Sequence, residues 1–199
     1  MVNWDLFKSD FKAVDEDELI KRIGTNMTND DIERYLGSPS ENYIIKYAEL
    51  ENIKNINELL PMDRTFKIIL IETEDFNIGH WVAILRFNNC IEYFNSYGEK
   101  PDKQKNKLIS KLKNFIFNQD DNELTRLIKN RDKDLKYTYN DYKFQKLKEG
   151  INTCGRWLVL RILLMRDLNM ELDEFKRVIV NNVIQHDIYP DALVSIYIP

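Results

Sequence analysis

Residues 150–157, Gly-Ile-Asn-Thr-Cys-Gly-Arg-Trp, and the apolar run that follows them decide the fold of this chain. Between positions 157 and 165 only Arg161 interrupts the apolar side chains, and a helix that is apolar nearly all round lies in the centre of a core. The two residues before Cys154 both favour the N-cap position of a helix. The sequence therefore predicts a buried central helix with Cys154 in its first turn.

Cys154 would then have a special environment for a thiol. The unpaired backbone N–H groups and the positive end of the helix dipole favour an anion, which makes a thiol more acidic and a better nucleophile. Gly155 adds an unobstructed backbone N–H beside the sulfur, which suits an oxyanion hole. The pattern indicates a catalytic cysteine, and the alternative is a small core residue, as most free cysteines are.

Length and composition indicate one ordinary globular domain. The chain has 199 residues, of which 43% are hydrophobic and 31% are charged. No internal repeat or low-complexity linker marks a boundary. We therefore expect a single domain over 1–199, with a mainly helical N-terminal region over 1–62 and the core over 63–199.

The N-terminal segment and the apolar run after Trp157 bear on localisation. Residues 1–13 are amphipathic and carry Trp4, Phe7 and Phe11, but they lack the basic, apolar and small-residue zones of a secretory signal. The run after Trp157 is too short to span a bilayer. We therefore expect an intracellular protein with no membrane partner.

The cysteines and histidines limit the possible cofactors. Cys90 and Cys154 could form one disulfide, but the missing export signal favours free thiols. A metal site built from these two cysteines with His80 and His186 would lack any pair of ligands close in sequence. The sequence therefore predicts neither a metal nor an organic cofactor.

Charge is unevenly spread along the chain. Residues 1–99 hold 10 basic and 19 acidic side chains, whereas residues 100–148 hold 14 basic and 7 acidic ones. The basic segment 100–148 could bind DNA without sequence preference, or it could simply be solvated surface.

The pattern of elements predicts an α+β fold, with helices around a central, mainly antiparallel sheet. Asn88-Asn89 predicts the turn of a β-hairpin. The predicted strands are 66–73, 81–87, 90–95 and 135–145, with 38–40 a loop, 43–50 ambiguous between strand and helix, and 192–198 a strand or extended tail. Besides the helix of Cys154, the predicted helices are 15–23, 29–36, 56–60, 122–130, 172–182 and a basic one, 103–117, with Leu108, Ile109, Leu112 and Ile116 on its apolar side.

A thiolate nucleophile needs a base, and the chain offers two histidines. His80 stands between Gly79 and Trp81 at the start of a predicted strand, whereas His186 lies in a polar stretch. The hairpin brings Asn95 back to the same edge of the sheet, where its side-chain carbonyl can accept a hydrogen bond from the imidazole and fix the tautomer. The alternative is a structural histidine and an ordinary turn asparagine.

Four short motifs follow one another between positions 79 and 155: 79–81 (GHW), 93–98 (YFNSYG), Gln145 and 154–155 (CG). In this order they resemble the adenain-type cysteine proteases, which comprise the adenovirus maturation protease and its relatives in virophages, large DNA viruses and polinton-like elements. That family belongs to the ubiquitin-like-protease superfamily. The resemblance implies a papain-like or adenain-like fold, with the nucleophile at the start of a buried central helix.

The resemblance also implies roles for the matching residues. Cys154 would be the nucleophile, His80 the general base, Asn95 the residue that orients the histidine, and Gln145 an oxyanion-hole donor. Two departures from the family are visible. Many relatives have an acidic residue where Asn95 stands, and Gln145 is nine positions before Cys154, farther than in better-known members.

The same resemblance implies that Gly79, Trp81 and Gly155 bind the substrate, with glycine or another small residue before the cut. We therefore expect a viral cysteine endopeptidase of the virion and host cytoplasm. It would cleave capsid or other virion precursor proteins through a thioester acyl-enzyme. Two rival hypotheses are a protease that deconjugates ubiquitin-like proteins and a non-catalytic nucleic-acid-binding module.

Overall fold

A computed structural model describes residues 14–37 and 39–199. The predictions for residues 1–13, for Ser38 and for the side chain of Leu108 lie outside what the structure describes. The described chain has the predicted α+β fold, a five-stranded sheet flanked by helices. The strands are β1 (Ile44–Lys46), β2 (Thr65–Asp75), β3 (Ile78–Phe87), β4 (Cys90–Phe94) and β5 (Lys136–Tyr139). The helices are α1 (Glu16–Gly24), α2 (Asn29–Leu36), α3 (Ile56–Leu59), α4 (Lys103–Leu108), α5 (Lys111–Ile116), α6 (Glu123–Lys129), α7 (Cys154–Leu168), α8 (Leu172–His186) and α9 (Pro190–Tyr197).

The sheet is mixed rather than mainly antiparallel. Its strand order is β1-β2-β3-β4-β5, and β3 pairs antiparallel with both β2 and β4. The two edge strands pair in parallel, β1 with β2 and β5 with β4. Parallel neighbours need a crossover connection, and α4, α5 and α6 provide it between β4 and β5.

The predicted hairpin between β3 and β4 is confirmed. Asn88 and Asn89 have φ of 50° and 58°, so both adopt the left-handed conformation that a two-residue type I′ turn requires. Ala83 of β3 pairs with Phe94, the last residue of β4. Asn95 therefore leaves the sheet at the edge where β3 begins.

Helix α7 lies at the centre of the core. Its residues from 154 to 165 are all buried, and it packs against β3, α2 and α9. The charge of Arg161 is paired with Glu92 of β4 by two hydrogen bonds, of 2.8 Å from Nε and 2.6 Å from Nη2. Arg161 Nη1 donates to the Met170 carbonyl at 3.0 Å. A buried arginine is tolerated under these conditions because its charge and its donors have partners.

Helices with local cap signals lie where the sequence predicts them. The bounds of α1, α2, α3 and α6 differ from the predicted ones by at most one residue. Thr28 and Asp31 form a capping box at the start of α2, and Gly37, at φ 75°, ends it.

The ambiguous 43–50 segment is split between β1 and a short 3₁₀ helix, Tyr47–Asn52. No helix within 14–37 and 39–199 is long and apolar enough to cross a membrane.

The single predicted helix over 103–117 is wrong, because two helices occupy this range. The Ser110 hydroxyl accepts from the Lys113 backbone N–H at 3.2 Å, so a new helix, α5, begins there. The predicted apolar side is also wrong in part. Ile109 is buried, but Leu112 is 68% exposed and Ile116 is 53% exposed.

Three further predictions are wrong, one in the type of an element and two in the length of an element. Residues 192–197 belong to α9 and not to a strand, and Ile198 is the residue that ends this helix. Pro190 starts α9 at a position where the missing N–H of proline has no helical partner to lose. The strand expected over 135–145 is only β5, because Asn140 turns the chain by accepting from the Tyr142 backbone N–H at 3.0 Å. Helix α8 runs beyond residue 182, so His186 is its last residue.

Candidate active site

Cys154 is the first residue of α7 and is 7% exposed. Burial raises the pKa of its thiol above the ordinary value. The backbone N–H groups of Trp81, Gly155 and Cys154 itself act in the opposite direction by stabilising the thiolate. The sulfur therefore lies where backbone donors from β3 and from the start of α7 converge.

His80 and Asn95 form a buried pair at the edge of the sheet. His80 Nε2 lies 2.9 Å from Asn95 Oδ1. The Tyr97 backbone N–H also donates to this oxygen, at 3.0 Å, and fixes which end of the amide faces the imidazole. Because Oδ1 can only accept, Nε2 carries the proton and Nδ1 holds the lone pair. The histidine is thus held in the tautomer that a general base needs at Nδ1.

The charge state of His80 follows from its burial. Burial lowers its pKa from 6.5 to about 4, and the hydrogen bond with Asn95 opposes this shift. The imidazole is therefore neutral at pH 7 and able to accept a proton.

The structure brings His80 and Cys154 into the same neighbourhood. Trp81, which follows His80, directs its backbone N–H at the Cys154 sulfur. The Tyr97 ring stacks on the imidazole at 4.7 Å between centroids, and a charge on Cys154 contributes to the raised pKa of the Tyr97 hydroxyl. Within the described ranges no hydrogen bond joins the sulfur to the imidazole. The side chains of His80 and Cys154 therefore both lie beside Trp81 and Tyr97.

Gln145 is buried in the loop between β5 and α7. Its Oε1 accepts from the Ser96 hydroxyl at 2.7 Å, and its Nε2 donates to the Ile151 carbonyl at 3.1 Å. Its backbone N–H donates to the Ser96 carbonyl at 3.0 Å. The loop before Cys154 is therefore fastened to the residue that follows Asn95, and Gln145 Nε2 keeps one hydrogen for another acceptor.

Two buried residues that the sequence did not suggest support Asn95. Gln104 of α4 accepts from Asn95 Nδ2 at 2.6 Å. Asn140 donates from its Nδ2 to the Asn95 carbonyl at 2.7 Å. Neither residue lies in a recognisable motif, so only the folded contacts identify them.

A groove of about 640 Å³ opens beside the site. Gly79 and Trp81 line it, together with residues 26–30, β1 and the turn before β3. The Trp81 indole N–H donates to the Met27 carbonyl at 3.1 Å, which fixes the ring in the wall. Gly155 does not line the groove, because it packs under Met27, whose Cβ would lie 2.8 Å from a Cβ at position 155.

Gly79 has a structural reason to be glycine. A Cβ at this position would lie 1.9 Å from the Ile71 carbonyl oxygen of the paired strand β2. No other residue fits without moving the backbone next to His80. The glycine therefore sets the close approach of the two strands at the site, besides lining the groove.

The remaining candidate ligands are scattered. Cys90 and Cys154 are both free thiols. Among residues 14–37 and 39–199, no group of three histidine, cysteine, aspartate or glutamate side chains could hold a metal ion.

The fold and this site define an α+β protein with a buried cysteine at the start of its central helix, beside a histidine–asparagine pair. No protein-family model and no solved structure matches the chain. It is 35% identical over 175 residues to a Sputnik virophage protein named "Uncharacterized protein V9", and the alignment covers 85% of this chain and 91% of that protein. The chain belongs to the family of this virophage protein.

Proposed function

We propose that the protein is a cysteine endopeptidase with an adenain-like fold. The observation that carries the proposal is the position of Cys154 at the start of a buried helix, next to a His80 whose tautomer is fixed by Asn95. A structural cysteine and a structural histidine would need neither the converging backbone donors nor the free Nδ1.

The proposed chemistry begins with proton transfer. His80 Nδ1 takes the proton of the Cys154 thiol while the sulfur attacks the carbonyl carbon of the substrate. The C–N bond then breaks as the imidazolium gives the proton to the leaving amine, and a thioester remains. His80 next takes a proton from water, which attacks the carbonyl carbon of the thioester. The C–S bond then breaks, the imidazolium returns the proton to the Cys154 sulfur, and the acid is released. Asn95 accepts from Nε2–H throughout and supports the imidazolium without a full charge.

The oxyanion of each tetrahedral intermediate needs donors. The backbone N–H groups of Cys154 and Gly155 at the start of α7 lie beside the sulfur and suit this role. Gln145 would add the remaining hydrogen of its Nε2. One of the two Nε2 hydrogens of Gln145 is already donated to the Ile151 carbonyl, so a substitution of Gln145 tests whether the other one serves the oxyanion.

The substrate would be a capsid or other virion precursor protein, and the protein would act in the virion and the viral factory. Support comes from the resemblance of the motifs and from the family shared with a virophage protein. The groove beside Gly79 and Trp81 would hold the extended chain next to the cut, with glycine or another small residue at the scissile bond.

The proposal is tested by incubating the purified protein with the capsid proteins of its own genome. Discrete fragments are expected, and mass spectrometry of their termini gives the cleavage site. Cys154→Ala and His80→Ala should abolish the fragments, while Cys90→Ala, the matched control, should leave them unchanged. Equal cleavage by Cys154→Ala would refute the proposal.

A further inference from the structure

Asp191 lies in the first turn of α9 and is 5% exposed. Its carboxylate accepts two short hydrogen bonds, and the Trp157 indole N–H also stabilises its charge. Oδ1 accepts from the Thr153 hydroxyl at 2.5 Å, and Oδ2 accepts from the Lys146 backbone N–H at 3.0 Å. These two residues stand at opposite ends of the loop from Gln145 to Cys154. One buried carboxylate near the C-terminus therefore binds both ends of the loop that precedes Cys154.

Thr153 occupies the N-cap position of α7 without capping it. A threonine at this position ordinarily accepts a hydrogen bond from the backbone N–H of the second or third helical residue. The Thr153 side chain makes no such bond, and its backbone has ψ of 4° rather than the extended value typical of a side-chain cap. The N-caps Asp15, Thr28 and Ser110 of this chain do bind their helices. The Thr153 hydroxyl donates to Asp191 instead.

We infer that Asp191 is a positioning residue, which draws the Thr153 hydroxyl away from α7 and so leaves the first backbone N–H groups of this helix free to stabilise the Cys154 thiolate. The part that concerns the substrate oxyanion rests on the proposed function, since the same N–H groups would bind it. The part that concerns the thiolate does not.

The surroundings of the carboxylate fit this role. The Ser195 hydroxyl donates to the Asp191 carbonyl at 2.8 Å and fixes the start of α9. A carboxylate in the first turn of a helix is also favoured by the helix dipole. Burial raises the pKa of the Asp191 carboxyl, while the hydrogen bonds from Thr153 and Lys146 and the nearby Trp157 indole lower it. The charge is thus stabilised by both ends of the loop that it joins and by a side chain of α7.

The test measures how fast iodoacetamide alkylates Cys154 at pH 7, by mass spectrometry, in the full-length protein. Asp191→Ala should slow alkylation about fivefold, the effect of one capping hydrogen bond that the released Thr153 would make to α7 once its ψ turns from 4° to the extended value. The double variant Asp191→Ala with Thr153→Val should return to within about twofold of wild type, since valine cannot cap. Asp191→Asn should behave like wild type, because its Oδ1 can accept from the Lys146 N–H while its Nδ2 donates to the Thr153 hydroxyl oxygen.

Alkylation of Asp191→Ala at the wild-type rate would overturn the inference, and so would a double variant as slow as Asp191→Ala. Thr153→Val keeps the side-chain shape and tests the same idea without removing the carboxylate. Its alkylation should stay within about twofold of wild type, and a loss beyond about fivefold would show that the hydroxyl serves α7 directly. Alkylation needs no substrate, so a wild-type protein that cleaves nothing would refute the proposed function and leave this test standing.

Discussion

Replacing Asn95 by aspartate puts a full negative charge where the neutral amide now faces His80. The substitution changes one atom, so the packing of this buried position is kept. The carboxylate can still accept from His80 Nε2 and from the Tyr97 N–H, as Asn95 Oδ1 does. Gln104, which now accepts from Asn95 Nδ2, can turn its own amide to donate instead.

The size of the effect follows from the pKa of His80. Burial holds this pKa at about 4, compared with an ordinary value of 6.5, and the difference corresponds to about 3 kcal/mol in favour of the neutral ring. An opposite charge in direct contact favours the imidazolium and shifts a pKa by about 1–3 units. Asn95→Asp should therefore raise the pKa of His80 to a value of roughly 5 to 7.

The assay is the pH dependence of kcat/KM on a fluorogenic peptide made from the identified cleavage site. Below the pKa of His80 the ring is protonated and cannot take the thiol proton, so activity falls as the pH drops through that value. The acidic limb should lie near pH 4 in wild type and move upward by about 1–3 units in Asn95→Asp. Asn118→Asp, at an exposed asparagine, is the matched control and should not move it. A limb that stays in place, or moves downward, would show that the charge at position 95 does not set the pKa of His80.

Four further outcomes are expected. Gln145→Ala should lower kcat about 10²-fold with little change in KM, the usual cost of losing one oxyanion donor, and a loss below about fivefold would remove Gln145 from the site. Brief iodoacetamide treatment should alkylate Cys154 before Cys90. Burial raises the pKa of both thiols, but backbone N–H groups stabilise the Cys154 thiolate, whereas Glu92 disfavours that of Cys90. Mass spectrometry that finds Cys90 labelled first would contradict this. The free energy of unfolding, measured with urea, should fall by up to about 3 kcal/mol from pH 6.5 to pH 4. In this window His80 binds a proton in the unfolded state but stays neutral in the folded state. His80→Asn should lose this dependence on pH. The basic segment 100–148 should bind duplex DNA with an affinity that falls steeply with salt, and fluorescence anisotropy without binding at low salt would rule this out.

The sequence predicts those parts of the fold whose signals are local. Thr28 and Gly37 mark the ends of α2 because capping and a left-handed end are properties of a few adjacent residues. Asn88-Asn89 predicts the hairpin for the same reason, and the hairpin in turn brings Asn95 to the edge where β3 begins. The nearness of Asn95 to His80 was therefore predictable, since it depends on one turn.

Predictions failed where local signals competed. Residues 192–198 are rich in β-branched and aromatic side chains, which favour a strand. Pro190 nevertheless favours a helix start, and the α-helix buries Leu193, Val194 and Tyr197. Ser110 is likewise a local cap, and it divides the basic helix that amphipathic periodicity alone predicts.

The supports of the site were not predictable at all. Gln104, Asn140 and Asp191 reach it from α4, from the loop after β5 and from α9. Their contacts join residues far apart in sequence, and a single glutamine, asparagine or aspartate carries no periodic signal. Which polar side chain lies under a catalytic candidate is decided by the packing of whole elements.

A neutral residue beside His80 also constrains the order of events in the proposed reaction. Burial lowers the pKa of His80 and raises that of Cys154, so each shift disfavours the charged form. Asn95 offers a hydrogen bond but no counter-charge, so a resting thiolate–imidazolium pair is poorly supported at pH 7. The thiol proton should therefore move to Nδ1 as the sulfur attacks, when the negative charge passes on to the oxyanion. The free backbone N–H groups at the start of α7 then matter most in the transition state, where the charge they stabilise first develops.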